Sequence, residues 1–363
     1  MDSLNYAKLC CDTVMKKFPN GELPPVGIFH YHAGVFLHGM EELYLLTNDK
    51  KYDNYIENWL SKHIDEKGNI HEVNDGSLDD LQSCNLLVRY CRQGNAKRGF
   101  REALDFAGEK LLSWKTNVHG GKRKKNEHPN QVWLDSVYMG QLLAVRYGLL
   151  SGDRTFIDMA DKQMNLLWQH ARDEKTGLLY HAWDPSIEAE WNPNPKTGCS
   201  SEIWGRALGW YFATLTLLGE LLTENDPVGK RFLERAKILA ENLIKYQDKE
   251  KHMWYQVVDK GENDGNWIET SCSCLYVFAL CKLIKIGALK NDEYIKAARN
   301  GYNAIIKNYT ETDSNTIYLK NVCMGTGVGT YEYYIDRPTA INDLHGMGAF
   351  ALMCTEYYKA FGE

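Results

Sequence analysis

The sequence lacks the long apolar runs that membrane insertion requires. No stretch of roughly 18 or more apolar residues occurs in the 363 residues. The first segment, MDSLNYAKLCCDTVMKKF, has no apolar core of the kind that signal peptides carry. We therefore expect neither a membrane partner nor export. Ten cysteines without an export signal indicate reduced thiols in a cytoplasm.

Basic charge and paired cysteine motifs are also lacking. The net charge of −6 argues against a nucleic-acid partner, because such partners select basic surfaces. The adjacent Cys10 and Cys11, and the pair Cys272 and Cys274, do not have the CxxC spacing of structural zinc sites, so core packing is the better interpretation. Aromatic residues, in contrast, are abundant. Ten Trp and 22 Tyr suit a protein that stacks on flat ligands, although large cores also absorb them.

Proline is scarce, and between the few prolines a helical pattern recurs. An aromatic-rich helix, a short polar turn and a second helix appear in AGVFLHGMEELYLLTNDKKYDNYIENWLSKHI, in LDSVYMGQLLAVRYGLLSGDRTFIDMADKQMNLLWQH and in SCSCLYVFALCKLIKIGALKNDEYIKAARNGYNAIIKNY. The turns TNDKKY, SGDRTF and KNDEY each place an Asp shortly before an aromatic residue. We predict that this Asp caps the second helix, because its carboxylate accepts free backbone N–H groups.

Two less regular copies, near Leu78 and Ser201, bring the number of predicted hairpins to five. An opening helix at about 3–18 and a final helix at about 345–358 complete a sixth if they pair. An open solenoid is the alternative, but neither end has a polar capping repeat. We therefore predict an all-α fold, an (α/α)6 barrel, as one domain over residues 1–363. Short strands are expected near 251–258 and 315–319.

In such a ring every hairpin runs in the same direction, so the first helices of all pairs begin at one face. Residues at these starts are neighbours in space although they lie far apart in the sequence. Carboxylates, an arginine and several indoles should therefore meet at that face. The segments concerned are Phe29–His32, Asp79–Asp80, Trp133–Asp135, Trp204–Arg206, Glu269 and Asp343–His345.

Two acids stand out among these residues. Asp135 lies at the start of an apolar helix in HPNQVWLDSVYMG, and Asp79 takes the comparable place in GSLDDLQSC. Each alone is explained as a helix cap or a first-turn Asp. Together, in a cleft with apolar walls, they form the pair that hydrolysis needs, one protonated donor and one charged partner. Helical phase does not distinguish Asp79 from Asp80.

The segment SSEIWGRALGWYF carries Trp204, Arg206 and Trp210 within two turns. The two indoles have core packing as their alternative. Arg206 is harder to explain as a core residue, because a guanidinium between indoles makes a planar, bidentate clamp for a carboxylate. The segment GLLYHAWDP adds His181 in a loop, where solvent exposure is the alternative.

Three further patterns are weaker. The basic run KRKK at 122–125 is by default a solvated loop, but it lies close enough to Asp135 to supply counter-charge for an anionic substrate. His30 and His32 lack further ligands that the sequence can place, so we predict no metal site. The segment GTGVGTY at 325–331 lacks the strand–turn–helix context of a phosphate loop.

Together these segments resemble the unsaturated rhamnogalacturonyl hydrolases of glycoside hydrolase family 105, which are relatives of the unsaturated glucuronyl hydrolases of family 88. The likeness covers most of the chain. It is most specific where QVWLD combines with WGRALGW and with the TGVGTY tail. The other similar segments are YHAGVFLHGMEELYLLTND, LDDLQSCNLL, LLYHAWD, WIETSCSCLYVFAL and INDLHGMGAFALMCTE.

The resemblance implies an (α/α)6 fold and a hydrolase that acts on oligosaccharides left by polysaccharide lyases, as in pectin degradation. Such an enzyme removes a terminal 4,5-unsaturated uronic acid by hydrating its double bond, and it needs no cofactor. By the same resemblance Asp135 protonates C4 of the alkene, and Asp79 is its partner carboxylate. The positions that match substrate-binding ones are Tyr31, Lys124, Lys125, Trp133, His181, Trp204, Arg206 and Trp210.

This chain departs from the family pattern in one segment. The family usually has GGFWHK, where this sequence has GGKRKK, so that Lys124 stands in place of a His and the aromatic pair before it becomes Lys122 and Arg123. After Tyr31 the family has Glu, where this chain has His32. A more cationic subsite would suit an acidic or sulfated neighbouring sugar instead of rhamnose.

Other functions remain open at the level of the sequence. They are an unsaturated glucuronyl hydrolase for ulvan or glycosaminoglycan fragments, a conventional inverting glycosidase or sugar epimerase on the same barrel, and a non-catalytic helical scaffold. An inverting enzyme would place its carboxylates roughly 6.5–9.5 Å apart. A scaffold would have no ligand-sized cleft lined by Trp. The linkage, the next sugar and the oligomeric state are not defined by the sequence.

Overall fold

Two concentric rings of helices make up the architecture. The computed structural model describes residues 1–71, 77–125, 127–222 and 225–363. Within them each inner helix contacts the next inner helix, and each also packs on an outer partner that runs the opposite way. The inner helices are α2 (Tyr31–Thr47), α4 (Asn85–Gln93), α6 (Leu142–Ser151), α8 (Gly205–Leu221), α10 (Thr270–Lys285) and α13 (Leu344–Phe361). The outer helices are α3 (Lys50–His63), α5 (Phe100–Ser113), α7 (Arg154–His170), α9 (Pro227–Leu243), α11 (Asp292–Tyr309) and α1 (Ser3–Lys17).

The ring closes where the last inner helix meets the first. Helix α13 packs on α2, on α10 and on α1, so the opening and final helices form the sixth hairpin. Close approach is possible because two glycines face each other across the seam. A Cβ at Gly348 would lie 2.6 Å from the carbonyl oxygen of Val35, and one at Gly39 would lie 2.9 Å from the carbonyl oxygen of Gly348. The predicted (α/α)6 barrel is confirmed, whereas its limits as one domain over 1–363 stay a prediction.

Burial explains why the inner helices other than α4 have little amphipathic character. Helix α8, for example, is buried along almost all of its length, from Gly205 to Gly219, because it has protein on both sides. The outer helices instead alternate buried and exposed residues, as α11 does. Helices that are apolar all round belong in the interior of a large protein, and amphipathic ones belong on its surface.

The predicted aspartate caps occur in two of the three turns. The carboxylate of Asp49 accepts a hydrogen bond from the Lys51 N–H at 3.1 Å, and that of Asp153 accepts one from the Thr155 N–H at 2.9 Å. In KNDEY the prediction is wrong, because Asp292 is already the first helical residue. Asn291 takes the cap position there and makes no side-chain cap.

Short strands occur only in the connections, and they form two-stranded antiparallel pairs. Strand β1 (Val132–Trp133) pairs with β2 (Ala182–Trp183), β3 (Thr310–Thr312) with β4 (Ile317–Leu319), and β5 (Val322–Cys323) with β6 (Thr339–Ala340). The strand expected near 315–319 is therefore present. The one expected near 251–258 is not, because that segment makes only isolated bridges, such as Tyr255 with Ile268.

None of the described helices combines the length and the apolar character that crossing a membrane would take. All ten cysteines are free, and all except the partly buried Cys91 are buried. The interpretation of the cysteines as core residues is thereby confirmed.

Candidate active site

A cavity of about 300 Å³ opens at the end of the ring where the inner helices begin. The sequence segments predicted to converge supply most of its wall. Both predicted acids and three predicted indoles face it. The lining residues are His30, Tyr31, His32, Asp79, Lys124, Lys125, Trp133, Asp135, Met139, Trp204, Arg206, Trp210, Gly325, Thr326 and Gly327.

Lys124 holds the two acids together. Its Nζ is 2.9 Å from Oδ1 of Asp135 and also forms an ion pair with Oδ1 of Asp79. All three side chains are nearly buried, with relative exposures of 8% for Asp79, 7% for Asp135 and 3% for Lys124. Of the two acids that the sequence could not distinguish, Asp79 faces the cavity and Asp80 does not line it.

Backbone contacts fix the position of Lys124. The N–H of Leu78 donates to the carbonyl of Lys124 at 3.2 Å, so the segment that carries Asp79 and the segment that carries Lys124 are directly joined. On its other side, the N–H of Lys124 donates to the carbonyl of Gln131 at 3.4 Å, just before β1. Asp135 follows β1. A π-helical turn, Val137–Gln141, then leads into α6, and such turns are frequent at functional sites.

The electrostatics of the pair are dominated by this ammonium group. Burial by itself raises the pKa of Asp135, but the charge of Lys124 and the neighbouring His181 outweigh burial and hold this pKa well below its usual range. Burial lowers the pKa of Lys124, and the charges of Asp135 and Asp79 reverse that effect and raise it. Asp135 is therefore ionised at neutral pH in this arrangement.

His181 lies behind Asp135 and does not line the cavity. Its Nε2 is 3.7 Å from Oδ2 of Asp135, and its Nδ1 is 2.7 Å from the hydroxyl of Tyr334. That hydroxyl accepts a hydrogen bond from the Gly329 N–H at 3.3 Å, so its own O–H can donate a hydrogen bond to Nδ1 of His181. Burial lowers the pKa of His181, which keeps the ring neutral, with the remaining proton on Nε2 facing Asp135.

The indoles are held at their N–H groups by two glutamines. Gln131 Oε1 accepts from Nε1 of Trp133 at 2.8 Å and from Nε1 of Trp191 at 3.1 Å. Gln256 Oε1 accepts from Nε1 of Trp204 at 3.1 Å. The polar edges of these three indoles are thereby satisfied within the protein, so they need no hydrogen-bond partner from a ligand.

Arg206 lines the cavity, but part of its hydrogen-bonding capacity is already used. Its Nη1 donates to the carbonyl of Cys323, and its Nη2 donates to the carbonyl of Met324 at 2.8 Å. The guanidinium also lies over the Trp204 ring, with Cζ 4.6 Å from the centroid. Since a guanidinium has five N–H donors, these two hydrogen bonds do not use all of them. Arg206 thus also fixes the loop that contributes Gly325–Gly327 to the wall.

The basic run at 122–125 divides into separate roles. Lys122 is buried and donates from Nζ to the carbonyls of Leu111 and Trp114, so it supplies no counter-charge at the cavity. Lys124 is paired with the two acids. Lys125, which forms an ion pair with Glu127 at 3.4 Å, lines the cavity with a side chain that is 38% exposed. The interpretation of the whole run as a solvated loop is wrong for Lys122 and Lys124.

Some predicted members of the cluster are structural. Phe29 is fully buried and stacks on Trp59, with ring centroids 5.2 Å apart. Glu269 caps α10 through the N–H of Ser271 at 3.0 Å and also accepts from the N–H of Cys323 at 2.9 Å. Helix starts attract carboxylates for both purposes, so the sequence does not separate a cap from a catalytic acid.

Other residues at the site were missed. Met139 lines the cavity from the π-helical turn, and Gly325–Gly327 line it from the loop after β5. Tyr334 supports His181 from the short helix α12 (Tyr331–Ile335). The sequence does single out 325–331, as a weak phosphate-loop pattern and as part of the family resemblance, but neither interpretation places Gly325–Gly327 in the wall of the cavity.

One group of side chains in the described ranges has the composition of a metal site. Ligand atoms of His32, Asp343 and His345 lie within 4.8 Å of one another. His345 Nδ1 is 2.6 Å from the Asp343 carboxylate, and its Nε2 is 3.1 Å from the carbonyl oxygen of Cys323. Both nitrogens of His345 therefore have protein neighbours, and we interpret the group as an Asp–His pair at the start of α13, with His345 buried and Asp343 partly buried. The predicted absence of a metal stays a prediction.

Comparison with known proteins identifies the family. The model of Glycosyl Hydrolase Family 88 matches residues 6–361. The chain belongs to this family. The resemblance drawn from the sequence is thereby confirmed, and so is the prediction of a glycoside hydrolase, for which an oligosaccharide is the substrate.

Solved structures of family members share the ring. A glycoside hydrolase of family 105 from C. acetobutylicum ATCC 824 is 31% identical and covers 97% of this chain and 99% of its own, with a TM-score of 0.90. The unsaturated glucuronyl hydrolase from Bacillus sp. GL1 is 14% identical, and the match covers 99% of this chain and 97% of that one. Its TM-score of 0.70 shows the common fold. Among curated proteins, the unsaturated rhamnogalacturonyl hydrolase YesR of Bacillus subtilis (strain 168) is 23% identical over 258 residues, 68% of this chain and 69% of its own.

Proposed function

We propose that this protein removes a 4,5-unsaturated uronic acid from the non-reducing end of lyase-generated oligosaccharides by hydrating the vinyl ether. The observation that carries the proposal is the pair of carboxylates, Asp79 and Asp135, at the floor of an indole-walled cavity that also presents an arginine. An unsaturated uronate has a flat, conjugated ring end and one carboxylate. The indoles of Trp133, Trp204 and Trp210 in the cavity wall suit the first feature, and the guanidinium of Arg206 suits the second.

The proposed reaction needs one acid and one water molecule. Asp135, once protonated, gives its proton to C4, and positive charge develops at C5 and the ring oxygen. Water adds its oxygen to C5, and a carboxylate of the pair takes the proton that the water loses. The product at C5 is a hemiketal. It opens to a ketone, and the hemiacetal left at C1 releases the aglycone.

The shape of the pair argues against a conventional inverting glycosidase. Inverting enzymes seat a water molecule between carboxylates that are roughly 6.5–9.5 Å apart. Here one ammonium nitrogen contacts an oxygen of each acid, so these two oxygens are closer together than that. The epimerase alternative would use His bases, whereas the two imidazoles that line the cavity, those of His30 and His32, contact each other through their Nδ1 atoms at 2.9 Å.

Rhamnogalacturonan-type fragments, as in pectin degradation, are the substrates we favour, supported by the similarity to YesR. A second candidate class is an acidic or sulfated fragment such as those from ulvan or glycosaminoglycan. The observation in its favour is Lys125, a partly exposed cation in the cavity wall that is not engaged by the two acids.

The test is the loss of ultraviolet absorbance of the unsaturated uronate, which disappears when the double bond is hydrated. Purified protein is incubated with lyase-generated fragments of rhamnogalacturonan, chondroitin and ulvan. We expect the absorbance to fall fastest with rhamnogalacturonan fragments. A faster fall with either of the others would assign the second substrate class. An unchanged signal with all three would contradict the proposal.

Replacement of Arg206 by alanine should mainly weaken substrate binding. The variant loses the proposed carboxylate contact, and a hydrogen bond to a charged group is worth about 1.5–3 kcal/mol, so KM should rise by roughly 10-fold or more. It also releases the carbonyls of Cys323 and Met324. Arg206→Lys serves as the comparison, because it keeps the charge without the bidentate geometry. An unchanged KM in the alanine variant would show that the carboxylate is held elsewhere.

Replacement of Tyr334 by phenylalanine should lower kcat with little change in KM. The hydroxyl does not line the cavity, yet it fixes the proton of His181 on the nitrogen that faces Asp135. Loss of one such hydrogen bond costs about 1 kcal/mol, so kcat should fall by roughly 5-fold. Tyr333→Phe is the control, since Tyr333 is exposed and its hydroxyl accepts a hydrogen bond from the Gly327 N–H instead of contacting His181. A change in KM alone would contradict the proposed role of Tyr334.

We also propose that residues 1–363 form one catalytic domain that works in a cytoplasm. Ten free cysteines support the location, because reducing compartments keep thiols unpaired. The closed ring, whose sixth hairpin joins the two ends of the chain, supports a single domain.

A further inference from the structure

The site contains an ion-pair arrangement that the proposed reaction does not by itself require. A general acid must carry a proton, yet Asp135 shares a buried ammonium with Asp79. That ammonium belongs to Lys124, which stands where the sequence pattern of the family has a histidine. A lysine ammonium keeps its charge throughout the neutral pH range, whereas an imidazole loses its charge within that range.

We propose that Lys124 is a positioning residue that keeps Asp79 and Asp135 together as carboxylates before substrate binds, and that it thereby sets the pH range in which Asp135 can act as an acid. The inference rests on the proposed function for its effect on turnover. Its effect on the two carboxylates does not depend on that function, and it can be measured without substrate.

Geometry supports this role in three ways. The Nζ of Lys124 contacts both acids directly, and the side chain is nearly buried, so the ion pairs are little screened by water. The backbone of Lys124 is joined to that of Leu78, next to Asp79, so the main chain that carries the ammonium is held beside the segment that carries the acid. The other cations at the cavity are engaged elsewhere, since Arg206 donates to main-chain carbonyls and Lys125 pairs with Glu127.

The remaining titratable groups around the pair do not replace this charge. Burial lowers the pKa of both His30 and His181, so these imidazoles are neutral at pH 7. Burial raises the pKa of Tyr31 and of Tyr334, so their hydroxyls are neutral as well. The titratable and charged groups around Asp79 and Asp135 are Lys124, Lys125, His30, Tyr31, His32, His181, Arg206 and Tyr334.

The protonation state that Asp135 needs fixes the direction in which the pH profile should shift. Since Asp135 must be protonated to act, kcat/KM falls as the pH rises through the pKa of this acid in the free enzyme. Lys124 lowers that pKa, so the alkaline limb of the profile lies at lower pH than it would without the ammonium. Removal of the charge leaves two buried carboxylates in proximity, and like charges raise the pKa of one of them. The alkaline limb should then move to higher pH.

The first experiment measures the carboxylates without substrate. Aspartate carboxyl carbons are labelled with ¹³C and titrated by NMR, and the Asp135 signal is assigned by its absence in Asp135→Asn. In Lys124→Met the pKa of Asp135 should rise by about 1–3 units. Lys124→Arg should keep it low. Lys125→Met removes a charge that contacts neither acid, so its shift should be much smaller.

The second experiment follows kcat/KM against pH for the same variants. The alkaline limb should move upward in Lys124→Met, with Lys124→Arg close to wild type. Lys124→Gln provides a second neutral variant if the methionine variant does not fold, as checked by circular dichroism. Equal shifts in Lys124→Met and Lys125→Met, or an unchanged Asp135 titration in both neutral variants, would overturn the inference. If wild-type protein turns over no unsaturated oligosaccharide, the proposed function fails, and the NMR titration still decides the role of Lys124.

Discussion

Replacement of Asp135 by asparagine is expected to lower kcat by roughly 10² or more, because general acid catalysis contributes about that factor and an amide cannot deliver the proton. The shape of the side chain is kept. Lys124 retains Asp79 as its ionic partner, so the buried ammonium is not left unpaired. The free energy of unfolding should therefore change little. The measurement is the rate of absorbance loss from an unsaturated oligosaccharide, together with urea unfolding.

Asp153→Asn is the matched control for this prediction. Asp153 caps α7 in the turn after α6, at the opposite end of the hairpin from the cavity, and asparagine is as good a cap as aspartate. Its activity should equal that of wild type. Near-normal turnover in Asp135→Asn would refute its assignment as the acid, whatever the state of the control.

The second large effect is expected for the stability of the ring. Alanine at Gly348 would bring a Cβ to 2.6 Å from the carbonyl oxygen of Val35 and 2.7 Å from the N–H nitrogen of Phe36. Both atoms belong to the backbone of α2, so no side chain can turn aside. Overpacking of this kind costs about 1–3 kcal/mol, and we expect the upper end of that range. Urea unfolding measures the loss.

A glycine in looser surroundings provides the comparison. A Cβ at Gly140 would meet the Leu111 side chain at 3.4 Å and the Leu78 side chain at 3.6 Å, which are ordinary contacts. Gly140→Ala should therefore stay within about 1 kcal/mol of wild type, since alanine also favours helical backbone. If both variants lose the same stability, close backbone approach at the seam is not what makes Gly348 necessary.

The ring could be predicted from the sequence because a local pattern specifies each hairpin, and this pattern recurs along the chain. Each hairpin has its own apolar period and its own polar turn, and the caps at Asp49 and Asp153 lie where the turns predict them. Closure of the ring was predicted by pairing the opening helix with the final helix, because neither has another partner. The turn before α11 differs because two candidate caps, Asn291 and Asp292, are adjacent, and the sequence pattern does not choose between them.

The site was predictable as a set of helix starts, and less so as a set of contacts. Periodicity brought Asp79, Asp135 and Arg206 to one face, and the cavity contains all three. The role of Lys124 depends on which way a loop folds back, and a run of four basic residues carries no such information. Glu269 has the same position in its hairpin as a catalytic acid would, and only its hydrogen bonds show that it is a cap.

The two ends of the chain lie side by side in this protein. The hydroxyl of Ser3 donates a hydrogen bond to the carbonyl of Glu363, across the pair formed by α1 and α13. A linker of a few residues would therefore join the ends, and the polypeptide could be cut at an outer turn such as the one at Gly152, where a Cβ would meet nothing within 4 Å. The order in which the hairpins leave the ribosome is thus separable from their order around the barrel. The proposed chemistry requires the circular arrangement of the hairpins, and it does not depend on which hairpin comes first in the sequence.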